Sequence, residues 1–524
     1  MNNRGVLTLI GPLTCSLLLS LGCSSTPETG EGKINFLQAS EVSSKSESTN
    51  NPLDEEIDLL QASEVSSEDE STNNPLDEDG SVNTFTAEPL SFPRICQAWN
   101  GVHNRPDSTT VENIARHDLY WDTPYSFDLL WEVTEEQPYQ GLSTTLVDTD
   151  NDPALTKARI LKEELLRLNP NIKTLISVEY REGKIELNEN DLEWWEYGLY
   201  PPESPFWFWD TNGNPVPGWG EDANKNGVVE AEEALSGLTD FSQPELIELI
   251  AQKALALKES GIVDGIFLDW WNEHHRTAAS FLDWSTFYMT QEEELESRLT
   301  ILRRIREVAG DDFLILVNTN ESKAPQSAPY VNGSFMELYK SDYSKGYTVE
   351  YLIEVEDTLH WASENFQEPR INCLQGWRVV YDYGNAETRI TERDSEENQR
   401  WMRVFTTIAL THSDEYSLFG DDNAEPFRDH HHNWYEFWDA SLGEPISSKR
   451  QTLNGIEGLF IREFDNGYAV YNRSGAEQTV PLDNEHVAIS TGHISDMHLL
   501  GNLDGEIYLH NIKSGHTPLE TMDQ

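Results

Sequence analysis

Short apolar runs that end in polar residues alternate along most of this chain with longer stretches of helical period. From Pro244 to Lys258, residues Leu246, Ile247, Ile250, Ala254 and Leu257 recur at the spacing of one helix face, and Gly261 follows as a stop signal. Ile266-Phe-Leu268, bounded by Gly265 and Asp269, then reads as a fully buried strand of a parallel sheet that ends in an acid. The same alternation recurs on both sides. Predicted helices span Ala154–Leu168, Gln291–Ala309 and Glu396–Leu410. Predicted strands lie at Ile95–Trp99, Asp118–Asp122, Ile172–Tyr180, Phe313–Asn320, Ser334–Tyr339, Ile371–Trp377 and Tyr416–Asp421. About eight strands with helices between them give the arithmetic of a (β/α)8 TIM barrel, here placed over residues 93–450. Beyond Ile456 the period changes to two, and the Asp465-Asn-Gly467 turn between Leu459–Phe464 and Tyr468–Asn472 predicts a hairpin. A small all-β domain, read as a β-sandwich, is therefore expected over 451–524.

Residues 194–236 interrupt the alternation. Trp194-Trp195, Tyr197, Tyr200, Phe206-Trp-Phe-Trp209 and Trp219 crowd a turn-rich stretch, so the rings must pack on one another or stack on a ligand. Flat aromatic faces suit the apolar faces of sugar rings. Then come Asp222, Asn224, Asn226, Gly227, Val228, Glu230 and Glu233, with oxygen ligands on alternate residues, a glycine for the sharp turn and a closing glutamate. This resembles an EF-hand or dockerin loop. The resemblance implies one structural Ca2+ held by Asp222, Asn224, Asn226, the Val228 carbonyl, Glu230 through water, and Glu233.

The start of the chain differs in kind. Residues 1–23 carry Arg4, an apolar run from Val6 to Leu21 too brief to span a bilayer, and Ser20-Leu-Gly-Cys23, which resembles a bacterial lipoprotein signal. Lipidation at Cys23 is expected, placing the protein in the cell envelope and touching the membrane only through that anchor. Residues 24–92 are polar and self-repeating, with Leu37-Gln-Ala-Ser-Glu-Val-Ser-Ser returning at Leu60, and read as a disordered tether. With 36 Lys+Arg against 93 Asp+Glu, the net charge of -57 excludes nucleic acid as a partner and does not by itself select a substrate. A monomer is expected. Cys96 and Cys373 remain in the folded body, and either one disulfide or two buried thiols fits their apolar settings.

If the barrel holds, Asp269 and Glu337 end two strands separated by a single strand, so their carboxyl groups can converge over the mouth. One acid to protonate a leaving oxygen and one carboxylate to attack or to activate water suffice to cleave a glycosidic bond. Glu179, Glu273 and Glu415 compete for either role. Strand-end and loop residues Trp99, Tyr180, Trp209, Trp270, Trp271, Asn318, Asn320 and Tyr339 are candidate sugar contacts, as are His274-His275 and His430-His-His432. Val263-Asp-Gly-Ile-Phe-Leu-Asp-Trp-Trp271, Leu442-Gly-Glu-Pro445 and Arg462-Glu-Phe-Asp-Asn-Gly-Tyr-Ala-Val-Tyr-Asn472 resemble the glycosyl-hydrolase-like family 15 of bacterial TIM-barrel proteins, related in pattern to endo-alpha-1,4-polygalactosaminidases. That resemblance implies a barrel-plus-β-domain polysaccharide hydrolase with Asp269 catalytic, while Glu337 as partner rests on the strand count. A surface lipoprotein that binds glycans without cleaving them is the other reading.

Overall fold

The computed structural model describes residues 91–511 except 103, 106, 149–152, 185–197, 221–232, 235, 281, 340–345, 379–393 and 422–429. The signal, the tether as far as residue 90 and most of the calcium-type loop lie outside the described residues, while Phe92, read as the tether's last residue, is buried against Phe464.

Eight parallel strands form one sheet in sequence order: β1 (Cys96–Ala98), β2 (Leu119–Asp122), β3 (Lys173–Ser177), β4 (Gly265–Leu268), β5 (Leu314–Asn318), β6 (Gly333–Glu337), β7 (Cys373–Trp377) and β8 (Tyr416–Gly420). A parallel bridge between Ile95 and Ser417 joins β1 to β8 and closes the barrel. Helices α1 (Thr110–Ala115), α2 (Ala154–Leu168), α3 (Pro244–Ser260), α4 (Gln291–Ala309), α5 (Val349–Asn365) and α6 (Glu396–His412) link the strands, except between β5 and β6, where a loop does so. α3 starts with Pro244 in its first turn and stops at Gly261, whose φ of 68° suits glycine. α4 starts on a Thr290–Glu293 capping box. Two helices, α1 and α5, go beyond the elements read from the sequence.

Strand alternation sorts the side chains. Leu119, Trp121, Leu175, Phe267, Leu316, Phe335 and Leu418 fill the barrel interior, while the alternate residues meet the helices. Cys96 and Cys373 both belong to the inner set, and they form a disulfide across it.

Beyond the barrel, β9 (Leu459–Phe464), β10 (Gly467–Asn472), β11 (Gln478–Ala488), β12 (Ile494–Leu500) and β13 (Asp504–His510) make one antiparallel sheet in the order β9-β10-β13-β11-β12. The hairpin and its turn lie where the alternation places them. The sandwich is corrected: the described strands form a single sheet, bent where β11 loses register between Pro481 and His486. Its Phe460, Ala469, Tyr471 and Ile507 share a core with Val404, Phe405 and Ile408 of α6, so a helix takes the place of a second sheet. A Cβ on Gly505 would lie 2.0 Å from Thr407 Oγ1, which fixes glycine at that crossing. Glu506 is 5% exposed beside it, and burial pushes its carboxyl up to about 7. The fold thus favours the protonated acid. That contribution is complete below the ordinary carboxylate range and is lost as pH rises through about 7. Glu506→Gln is expected to unfold at higher temperature than the parent at pH 8, by up to about 3 kcal/mol, and to match it near pH 4; thermal unfolding across that range checks this.

Candidate active site

The alternation that buries Phe267, Leu316, Phe335 and Cys373 inside the barrel carries Asp269, Asn318, Glu337 and Gln375, two residues on, to the same side at the C-terminal mouth. Asn318, 5% exposed, occupies the centre. Its Nδ2 donates to Asp269 Oδ1 at 2.9 Å and to Glu337 Oε2 at 2.9 Å. The two bonded oxygens are therefore at most twice that, 5.8 Å, apart. With the trigonal spread of the two N–H bonds the separation is about 5 Å. Asp269 Oδ1 also accepts the Trp270 backbone N–H at 2.7 Å, and Asn318 Oδ1 accepts the Asn320 backbone N–H at 3.1 Å. Asn320 Nδ2 in turn donates to the Glu337 carbonyl at 3.0 Å. Both asparagines, read from sequence as sugar contacts, are occupied in positioning the acids.

Backbone strain gathers at this mouth. Trp99 (φ 47°), Trp270 (52°), Asn320 (50°) and His430 (65°) all stand in the left-handed region that side chains rarely adopt, a cost met typically where a site demands it. His430 lies between Trp99 and Trp377, with ring centroids 4.9 and 5.1 Å away, and its Nδ1 is 2.9 Å from Gln375 Oε1. Among the described residues, Gln375 Nε2 and Trp99 Nε1 are buried donors with no hydrogen-bond partner.

The remaining candidates separate by place. Tyr180 is buried rather than open to a sugar: its OH donates to the Trp270 carbonyl at 3.0 Å, it accepts from Arg298 Nε at 3.0 Å, and burial pushes it up to about 12. Trp271 is fully buried, with Nε1 donating to Ser327 Oγ at 3.0 Å, so of the two neighbouring indoles it supports the mouth while Trp270 stays partly exposed. Tyr339 is half-buried against Tyr351, 4.5 Å between centroids. In the aromatic insertion Tyr200, Phe206 and Trp207 pack on one another, and Trp209 is 42% exposed at a turn.

Three acids lose their claim to the chemistry. Glu179 Oε1 accepts the backbone N–H groups of Tyr180, Arg181 and Glu182 at 3.0, 2.7 and 3.2 Å and so locks a turn. Glu273 holds the N–H groups of Gln326 and Ser327. Glu415 is buried just ahead of β8, at the opposite end of the barrel.

Of the expected calcium ligands, Asp222, Asn224, Asn226, Val228 and Glu230 lie outside the described residues; Glu233 lies within them, next to a Gly220–Ala234 bridge that joins the base of the loop. Among the described residues no group of three metal-binding side chains occurs. His117 and His432 meet at 2.9 Å between Nε2 atoms, and Nδ1 of His432 lies 3.0 Å from the His430 carbonyl.

Residues 167–468, more than half the chain, match the model of hypothetical glycosyl hydrolase family 15. The chain belongs to that family. It is a glycoside hydrolase, and its substrate is a carbohydrate. No curated protein matches the sequence. Solved structures similar to this glycoside hydrolase include an α-amylase from Malbranchea cinnamomea, at 10% identity and a TM-score of 0.38 over 75% of this chain and 86% of that one. An α-amylase from Geobacillus thermoleovorans has 11% identity and a TM-score of 0.40 over 79% and 97%. A pullulanase from Anoxybacillus has 12% identity and a TM-score of 0.39 over 77% and 65%.

Proposed function

We propose that this enzyme is exported, anchored by lipid at Cys23, and hydrolyses a polysaccharide with retention of configuration through Asp269 and Glu337. The observation that carries the reading is the single Asn318 amide bonded to both acids, which holds them about as far apart as retaining glycosidases require, near 5 Å rather than the 6.5–9.5 Å of inverting ones. Asp269, with two donors on Oδ1, attacks the anomeric carbon as that carbon's bond to the leaving oxygen breaks, and Glu337 gives its proton to that oxygen. Water then loses a proton to Glu337 as its oxygen displaces Asp269 from the anomeric carbon. Buried Phe267, Trp121 and Phe335 beneath the pair keep water out of the barrel from below.

The Cys96–Cys373 disulfide supports export, since such bonds persist in oxidising compartments. The 222–233 loop is assigned one structural calcium ion on its spacing and on the bridge at its base. Incubating purified protein with a panel of polysaccharides and measuring new reducing ends tests the reading. Hydrolysis of at least one is expected, whereas saturable binding with no cleavage would leave a glycan-binding protein. In the same preparation a calcium chelator is expected to lower the unfolding temperature and added calcium to restore it; an unchanged temperature removes the ion from the account.

A further inference from the structure

Trp270 is joined by two groups that sequence patterns did not single out. Arg181, fully buried, lies over its ring with Cζ 4.5 Å from the centroid, held there by bonds from Nε to the Thr277 carbonyl at 2.7 Å and from Nη2 to the Ala279 carbonyl at 3.0 Å. Trp284, on the short hairpin of Ala279–Ser280 and Asp283–Phe287 that follows β4, stacks beside it with centroids 5.9 Å apart and planes 27° from parallel. Were Arg181 and Trp284 on opposite faces of Trp270, their separation would be close to the sum of those two distances. It is 5.8 Å. The guanidinium therefore backs one face of the Trp270 ring, Trp284 extends it sideways, and the second face carries no ring or cation among the described residues.

That face is fixed rather than floppy. The left-handed turn at Trp270 is pinned through its carbonyl by Tyr180, and Tyr180 by Arg298. The indole is partly exposed, and nothing among the described residues accepts its N–H. A rigid aromatic face with a free edge donor, one residue from Asp269, matches a pyranose ring, whose C–H face is apolar and whose rim carries hydroxyls. Carboxylates on the glycan would meet Asp269, Glu337 and a net charge of -57.

Resting on the glycosidase reading, we propose that Trp270 and Trp284 form a sugar-stacking subsite beside the acid pair, for a polysaccharide of pyranose units without carboxylate groups. The test is affinity electrophoresis of the full chain carrying Asp269→Asn through gels containing soluble starch, galactomannan, xylan, glycol chitosan or polygalacturonate. At least one of the first four is expected to retard it. Adding Trp270→Ala is expected to weaken that retardation about thirtyfold, Trp284→Ala less, and Trp270→Phe, which keeps a flat ring, by no more than about threefold. Equal retardation with Trp270→Ala, retardation by polygalacturonate alone, or retardation by none overturns the proposal. Separate failure of the catalytic reading has its own signature: Asp269→Asn would go on releasing reducing ends while Trp270→Ala still weakened retardation.

Discussion

Asp269→Asn is expected to slow release of reducing ends by at least about 10³-fold while leaving the unfolding temperature within a few degrees of the parent. The amide has the shape of the acid, and its oxygen can keep the bonds from Asn318 Nδ2 and the Trp270 N–H. What it cannot do is form the glycosyl ester or carry the negative charge opposite the developing oxocarbenium ion. Glu179, Glu273 and Glu415 offer no substitute, since two are spent on backbone N–H groups and the third lies at the far end of the barrel. Reducing-end assays paired with thermal unfolding check this. Undiminished activity would remove Asp269 from the mechanism.

Arg473→Met is expected to cost about 3–5 kcal/mol of stability, read as a fall in the urea midpoint. Arg473 reaches from the end of the β9–β10 hairpin to Glu356 on α5 with Nε and Nη2 at 2.6 and 2.7 Å, and Glu356 is fully buried. Burial drives the Glu356 carboxyl upward and Arg473 is the largest influence opposing it; without the guanidinium only the smaller influences of the Tyr471 hydroxyl and Arg450 oppose the burial. His412, 3.7 Å away, is itself buried and held well below its ordinary value by that burial, so it cannot serve as the replacement cation. Because the loss comes from an orphaned carboxylate, a second change of Glu356→Gln should recover much of it. A double variant no more stable than Arg473→Met would show that packing of the long side chain, not its charge, ties the sheet to the barrel.

The barrel was legible because its strands are apolar runs with a period distinct from that of α2, α3 and α4, whose apolar stripes agree with their limits. α5 escaped notice although Leu352, Val355, Leu359 and Ala362 recur at helical spacing: Glu354, Glu356 and Asp357 interleave with them, and Glu356 is buried only because a residue 117 positions away pairs with it. Tertiary partners of this kind carry no local signal. The same holds for the Cys96–Cys373 bond, across 277 positions. The acids were narrowed by strand order, but choosing among five required knowing where each strand starts and which way it alternates. Trp270 and Trp271 are adjacent and chemically identical. A φ of 52° at the first separates a partly exposed ring from a wholly buried one.

In the proposed mechanism Asp269 and Glu337 stand close enough for one to bond to the sugar while the other moves the proton. Following the anomeric proton signals by NMR during the first minutes of hydrolysis, before mutarotation, tests it most directly. Retention predicts that the first sugar released has the anomeric configuration of the bond cleaved. Release of the opposite anomer would mean a water standing between two more distant acids, and would contradict the arrangement that Asn318 holds.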